Sequence, residues 1–419
     1  MTSVLTQDTS VKCPVSPSEE AVWSRLPWKA RKVLEHFQSL RHGQLIIHLP
    51  EGTLTAGTPA DDGLKVNITI QDHRFFNKVA LGGSLGAADA YVDGDWSCDD
   101  LTALLRIVCR NLDDMNRMDS AWNRWGLAFA RIAHRLADNT IKGSKKNIAA
   151  HYDLSNELFD CFLDETMMYS SAMYESPETS LEAAAIAKLE RICQRLNLQA
   201  QDDVLEIGTG WGGWARHAAK NYGCLVTTTT ISENQFDFAQ RRIIDSGLSD
   251  RVKLLKQDYR HLSGEYDKVV SIEMIEAVGH DHLVEYFQTC ERLLTPGGRL
   301  VIQGITMPEQ RYERYCQSVD FIQKYIFPGG HLPSVGAMQE AVSRCPNLRL
   351  VEAEQFPDSY AYTLRDWRKR FFDHEEEIRR LGFDDRFLRT WDYYFCYCEA
   401  AFLERAVSVG QFVWEKTKY

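Results

Sequence analysis

The chain runs to 419 residues, a length that suggests two or three domains and gives ample material for a core. Its composition, 44% hydrophobic and 26% charged, is that of a globular protein, and no apolar run approaches the roughly 20 residues that a bilayer-spanning helix needs. The net charge of −11 argues against general nucleic-acid binding and leaves any attraction to an anionic membrane to local basic patches.

Residues 1–20 are polar, carry two prolines and lack the basic start and apolar core of a signal peptide, so they read as a mobile N-terminus. The eleven cysteines are scattered, odd in number and without metal-type spacing, which points to a reduced, cytosolic compartment and to no metal site. Trp23–Leu40 reads as mostly helix, with Arg25, Lys29, Arg31 and Lys32 along it. Gln44–Leu49 and Leu64–Ile70 read as strands separated by a turn-rich stretch. Phe75–Val79 and Leu85–Tyr91 are short helical candidates. Asp100–Asn111 is a better one, begun by an aspartate cap with Leu101, Leu104, Leu105 and Val108 on one face. Residues 21–120 thus form a small α/β accessory domain with no catalytic constellation.

Within 121–146, Trp122, Trp125, Phe129, Ile132 and Leu136 recur at helical spacing with Arg124, Arg131 and Arg135 between them, and Lys142, Lys145 and Lys146 follow. An aromatic face beside cations suits a membrane-surface helix. An interdomain helix burying its stripe reads from the same pattern. Gly143-Ser-Lys-Lys146 marks a boundary, after which residues 147–419 form the catalytic half.

That half is organised around Val204-Leu-Glu-Ile-Gly-Thr-Gly-Trp-Gly-Gly213, a strand-type run entering a glycine turn ahead of a helix-compatible segment. Glycines let the backbone approach a ligand, and a helix N-terminus offers free N–H donors. Gly208, Gly210 and Gly213 satisfy G-x-G-x-x-G, yet a dinucleotide site wants an acidic residue about 20 positions on to hold the ribose. The second strand, Leu225–Thr230, ends instead in threonines followed by Ile231-Ser-Glu-Asn-Gln235. Ser180–Leu196 reads as an amphipathic helix, and beyond it strands alternate with helices: strands at Val252–Leu255, Tyr266–Ile272 and Arg299–Gln303, helices at Glu233–Ser246 and Asp281–Leu294. The alternation predicts a doubly wound, mostly parallel α/β sheet, whose ligands bind at the carboxyl ends of the strands. The glycine turn, Gln235, Asp258, Glu276 and Gln303 all fall at or just after such ends.

This pattern resembles the class I methyltransferases that use S-adenosylmethionine. Its finer motifs resemble the cyclopropane-fatty-acid synthase family, including plant-type members: His151-Tyr-Asp-Leu-Ser155, Tyr169-Ser170, Gly210-Trp-Gly-Gly213, Thr230-Ile-Ser-Glu-Asn-Gln235, Glu276-Ala-Val-Gly279 and Tyr325-Ile-Phe-Pro-Gly-Gly330. Weaker likeness extends upstream through Gly94-Asp-Trp96. The resemblance implies S-adenosylmethionine as methyl donor, held by Tyr169, Ser170, Glu206, Gly208, Thr209, Gly210, Gly212, Thr230 and Gln235, with Asp258 and Tyr259 on the adenine side. It implies a bound bicarbonate as the base that lets a ring close, beside Glu276, Tyr360 and the backbone of Ile305, with Ser171 and Gln303 where many bacterial members have cysteine and histidine. Cys398 matches a cysteine assigned an active-site role. The implied activity is conversion of a cis double bond in a phospholipid acyl chain to a cyclopropane. The alternatives are C-methylation without ring closure, and a lipid-binding protein that no longer catalyses. A cytoplasmic enzyme docked peripherally on the inner face of an anionic membrane, with a homodimer among its assemblies, completes the expectation.

Overall fold

The computed structural model describes residues 17–112 and 154–418. The chain divides into two compact units, the first ending at residue 123. In the first, helix α1 (Pro17–Arg25) and helix α2 (Trp28–Gln38) are separated at Pro27, whose ring removes a helical N–H. A helix therefore begins inside the segment read as mobile, and residues 1–16 lie outside the described residues.

Strands β1 (Gly43–Leu49), β2 (Gly52–Thr58), β3 (Lys65–Ile70) and β4 (Trp96–Cys98) form a sheet in the order β2-β1-β3-β4. Strand β2 is the stretch read as turn-rich. Its glycines and threonines disguise an alternation in which Leu54 and Ala56 turn inward, and pairing with β1 from Gly43↔Thr58 to Leu49↔Gly52 overrides the weak propensity. Between β3 and β4, helix α3 (Arg74–Val92) joins the two predicted short helices across a kink at Gly83, where φ is +55°. Helix α4 (Leu101–Arg110) begins as expected, with the Asp100 carboxylate accepting from the Ala103 N–H at 2.8 Å.

Among the described residues, the second unit begins with helix α5 (Asn156–Asp160) and helix α6 (Leu181–Leu196), the latter capped by Ser180. Then come β5 (Asp203–Ile207), α7 (Gly213–Tyr222), β6 (Leu225–Thr230), α8 (Glu233–Asp245), β7 (Val252–Lys256), β8 (Tyr266–Ile272), α9 (Leu283–Leu293) and β9 (Leu294–Thr306). Helices α10 (Glu309–Cys316), α11 (Phe321–Tyr325) and α12 (Val335–Val342) follow. The chain finishes with β10 (Leu348–Gln355), α13 (Pro357–Asp373), α14 (Glu375–Arg380), α15 (Asp385–Leu403) and β11 (Ser408–Lys416).

The seven strands lie in the order β10-β11-β9-β8-β5-β6-β7. The five from β9 to β7 are parallel, and β11 and β10 add antiparallel at one edge. The expected doubly wound α/β sheet is therefore present. Alternation along β5 explains the two layers: Leu205 and Ile207 face the core made with α9 and α12, while Val204 faces the core made with α6 and α7. Over the carboxyl end of the sheet, α13 and α15 pack together through aromatic rings, with Phe371 and Trp391 stacked at 5.7 Å and 5° and Phe162 edge-on to both Trp367 and Phe395. Among the described residues no helix is long and apolar enough to cross a membrane.

Candidate active site

The strand order reverses between β5 and β8, and a crevice at such a point is where doubly wound sheets bind ligands. The glycine turn stands there. Gly208, Gly210 and Gly212 take φ of +95°, +51° and +81°, a region that side chains rarely adopt. The Gly208 and Thr209 N–H groups donate to the Thr229 carbonyl at 3.1 and 2.9 Å, which ties the turn to the end of β6. A Cβ at Gly213 would come within 2.6 Å of the Thr166 carbonyl, so this glycine permits close packing of the preceding loop. Over Gly210 there is open space instead, and the buried Thr209 hydroxyl has no partner. Open room and an unpartnered polar atom at one turn fit a polar cofactor.

The other predicted cofactor contacts surround this crevice. At the end of β6 the Thr230 hydroxyl donates to Gln235 at 3.0 Å and accepts from the Ser232 N–H at 3.1 Å. Asp258 and Tyr259 follow β7. Burial favours the neutral Asp258 carboxyl, but Arg260 grips both oxygens at 2.9 and 2.8 Å and holds it below the ordinary carboxylate range. The carboxylate expected on the adenine side is thus engaged in an ion pair. Tyr259 packs edge-on to Tyr286 at 5.5 Å. The Tyr169 hydroxyl donates to that of Tyr394 at 2.9 Å, with its ring among Phe159, Trp367 and Phe327.

Ser170 leads to a residue that sequence reasoning missed. Fully buried Lys188, on α6, donates to the Ser170 hydroxyl at 2.8 Å. Alternation on β5 turns Glu206 to the face where α6 packs, and Lys188 acts electrostatically on both Glu206 and Glu273. Burial lowers the Lys188 ammonium to about 8 and raises the Glu206 carboxyl to about 8, each moderated by the other. A lysine within the stripe Ala184, Ala185, Leu189 and Ile192 was the available signal. Replacing Lys188 by methionine removes the buried positive charge that favours the anions of these acidic groups. It is expected to destabilise the fold by about 3 kcal/mol, read as a lower urea midpoint at pH 7.

Three of the predicted catalytic residues, Ser171, Gln303 and Tyr360, converge on a second missed residue, Glu273. It follows Ile272 at the carboxyl end of β8 and holds φ at +47°, an uncommon conformation for a side-chain-bearing residue. Ile272 pairs with Gln303 across β8 and β9, and the Glu273 N–H donates to the Gln303 carbonyl at 2.7 Å. The Glu273 Oε1 accepts from the Ser171 N–H and from the Gln303 side-chain amide, both at 2.8 Å. Its Oε2 accepts from the Tyr360 hydroxyl at 2.8 Å. Gln411 donates to the Gln303 oxygen at 3.0 Å, turning the amide nitrogen toward Glu273.

Glu276 stands one 3-10 turn on and accepts the Ile305 N–H at 2.6 Å, while its buried Oε2 has no partner. Tyr360 was expected beside Glu276; its hydroxyl bonds Glu273 instead, because that carboxylate lies between α13 and β9. Two carboxylates this close do not both ionise readily. Burial first, then the Glu273 charge, raises Glu276 to about 8. Burial raises Glu273 as well, but Gln303, Lys188, Tyr360 and the Ser171 N–H all favour its anion. Both carboxyls are thus raised, and the donors gathered around Glu273 favour the anion there over Glu276.

This arrangement does not fit the bicarbonate implied by resemblance. The donors of Ser171, Gln303 and Tyr360 are spent on Glu273, and that of Ile305 on Glu276. Cys398, half-buried on α15, acts electrostatically on Tyr360 and Tyr394, and burial pushes its thiol well above the ordinary range. It is a neutral wall residue rather than a thiolate. Elsewhere, His280, Cys316 and His331 gather within 4.8 Å, with the Tyr312 hydroxyl bonded to both imidazoles at 2.7 and 3.1 Å.

A sheet of this order, with its cradle opening where the order reverses, is the frame of the class I S-adenosylmethionine-dependent methyltransferases, and the chain is one of them. Comparison with known proteins narrows the class. The family model for mycolic acid cyclopropane synthetase matches residues 139–412, and the chain belongs to that family. It is 39% identical over 341 residues to the tuberculostearic acid methyltransferase UfaA1 of Mycobacterium tuberculosis, covering 80% of this chain and 79% of the relative. It is 35% identical over 364 residues to the cyclopropane-fatty-acyl-phospholipid synthase of Escherichia coli, covering 86% and 91%. Among solved structures, the mycolic acid cyclopropane synthase CmaA1 complexed with SAH and CTAB superposes with a TM-score of 0.61 at 29% identity, covering 65% of this chain and 98% of that one.

Proposed function

We propose that the enzyme adds a one-carbon unit from S-adenosylmethionine to the cis double bond of an unsaturated phospholipid acyl chain and closes a cyclopropane ring. When bound, the sulfonium supplies an electrophilic methyl group. The observation that carries the reading is the half-buried Glu273–Glu276 pair beside an aromatic wall, at the same carboxyl end of the sheet as the glycine cradle. An alkene is a weak nucleophile, so holding it in line with the methyl supplies much of the rate. Addition leaves a carbocation that water would quench, and the packing of Tyr360 on Phe402 at 4.5 Å and of Phe321 on Tyr393 at 4.7 Å excludes water from that wall. Aromatic faces stabilise a desolvated cation by roughly 1–2 kcal/mol each. A nearby anion then takes the proton whose loss closes the ring.

Methylation without ring closure is the second reading, favoured by the likeness to a protein named as a methyltransferase. Proton NMR of lipid recovered after incubation with donor and cis-unsaturated phospholipid separates the two. Upfield cyclopropane protons support the first reading, and a branched methyl signal without them supports the second.

The substrate lies in a bilayer, so the reading includes peripheral docking on an anionic leaflet. The cationic aromatic segment within 121–146, which lies outside the described residues, is the proposed contact. Replacing Arg131, Arg135, Lys145 and Lys146 by glutamine is expected to weaken binding to anionic vesicles, read by sedimentation, by roughly two to three orders of magnitude, each cation contributing about 1 kcal/mol near such a surface. Unchanged sedimentation removes the segment from the account.

A further inference from the structure

The bonds converging on Glu273 carry a consequence for how the reaction ends. Three donors from three separate parts of the fold aim at one carboxylate: the Ser171 N–H, the Gln303 amide and the Tyr360 hydroxyl. A carboxylate satisfies all three at once. Elsewhere such a pocket would take a small oxyanion from solution; here the chain fills it with its own side chain. Glu273 and Glu276 are each only partly covered and keep some surface open.

We propose that Glu273 is the built-in base of the reaction, its carboxylate taking the proton from the methylated acyl cation in place of a dissociable anion. The inference rests on the function proposed above. In the step, a C–H bond of the newly added methyl breaks and its electron pair forms the C–C bond that closes the ring. The proton goes to a Glu273 oxygen, leaving a neutral ring and a neutral acid, and passes to water once the product leaves. In the methylation outcome the proton comes from a chain carbon beside the cation, and the electron pair forms a double bond.

Several features suit Glu273 to this task. Its three hydrogen bonds, to which charge adds strength at about 1.5–3 kcal/mol each, hold the carboxylate in one orientation. Glu276, its carboxyl raised to about 8, stays the acid below that pH and places no second negative charge beside it. Lys188 supplies a buried positive charge that favours its anion. The strained φ of +47° persists because the surrounding bonds hold it, and glycine would relieve it.

The test uses the full-length enzyme, a labelled methyl donor and cis-unsaturated phospholipid vesicles in buffer purged of carbon dioxide. The wild-type rate is expected to change less than twofold when bicarbonate is restored. Glu273→Gly should lose about 100- to 10,000-fold, the range of a positioned base, and recover at least tenfold on adding bicarbonate, which can enter the vacated anion pocket. Glu273→Gln should lose as much and not recover, because its amide still fills the pocket. Its residual product should shift toward a methylated alcohol, the cation being trapped by water. S-adenosylhomocysteine should bind both variants within threefold of wild type, showing that fold and cradle persist. A wild type that depends on bicarbonate, or a Glu273→Gln enzyme that keeps a near-normal rate, overturns the proposal while leaving the transfer reaction in place. A wild type that transfers no label to lipid overturns the underlying function, and the base with it.

Discussion

Valine at Gly210 is expected to abolish calorimetric binding of S-adenosylhomocysteine, with affinity falling at least a hundredfold. The residue holds φ at +51° and nothing lies within 4 Å of where its Cβ would stand. A β-branched side chain there carries a backbone cost of about 1–2 kcal/mol and projects into the space that the cofactor requires. Lost contacts and strain together need only about 3 kcal/mol for the predicted loss. Gly223→Ala is the control. It also takes a positive φ, +75°, but at the far end of α7. Alanine there should cost about 1 kcal/mol of stability and leave binding unchanged. Folded Gly210→Val protein that binds within threefold of wild type would show that the cradle lies elsewhere.

The second large effect concerns stability. The Glu276 carboxyl is raised from its ordinary 4.5 to about 8, so between these values the folded protein holds a proton that the unfolded chain has lost. Its favourable contribution is fully present below the unfolded value and disappears as pH rises through the folded one. Each unit in that window corresponds to about 1.4 kcal/mol, and the whole to on the order of 5 kcal/mol. Glutamine accepts the same Ile305 N–H and never ionises. Wild type and Glu276→Gln should therefore have similar urea midpoints at pH 5 and separate by pH 9, the glutamine variant being the more stable. Curves that run parallel from pH 5 to 9 would mean that Glu276 ionises freely and does not serve as the neutral partner.

The doubly wound sheet was legible because β5 and β8 carry short apolar runs and β6 a run of β-branched residues, spaced by amphipathic helices, a pattern set by burial on both faces. Strand β2 was not, since glycine and threonine hide a strand that exists through its pairing with β1. The antiparallel edge of β11 and β10 escaped for a similar reason: it forms across long chain separations that no local period reports.

In the site, Glu276, Tyr360, Gln303, Ser171 and Ile305 were legible by resemblance, but which carboxylate they serve was not. Resemblance aligns residues one by one, whereas the partner of Tyr360 depends on where β8 ends. Glu273 stands three residues before Glu276, and only the turn after Ile272 aims its side chain at Gln303. Lys188 was the more accessible omission, since a lysine in an apolar helical stripe announces a buried counter-charge without any knowledge of the tertiary fold.

The central claim is that one crevice brings an electrophilic methyl, an acyl double bond and an internal base together. The most direct measurement follows a trideuterated methyl group from the donor into cis-unsaturated phospholipid by mass spectrometry. Ring closure on the transferred carbon predicts a product that keeps two deuterium atoms, the third lost as the ring forms. Lipid that acquires no deuterium from a folded, donor-binding enzyme would contradict the account.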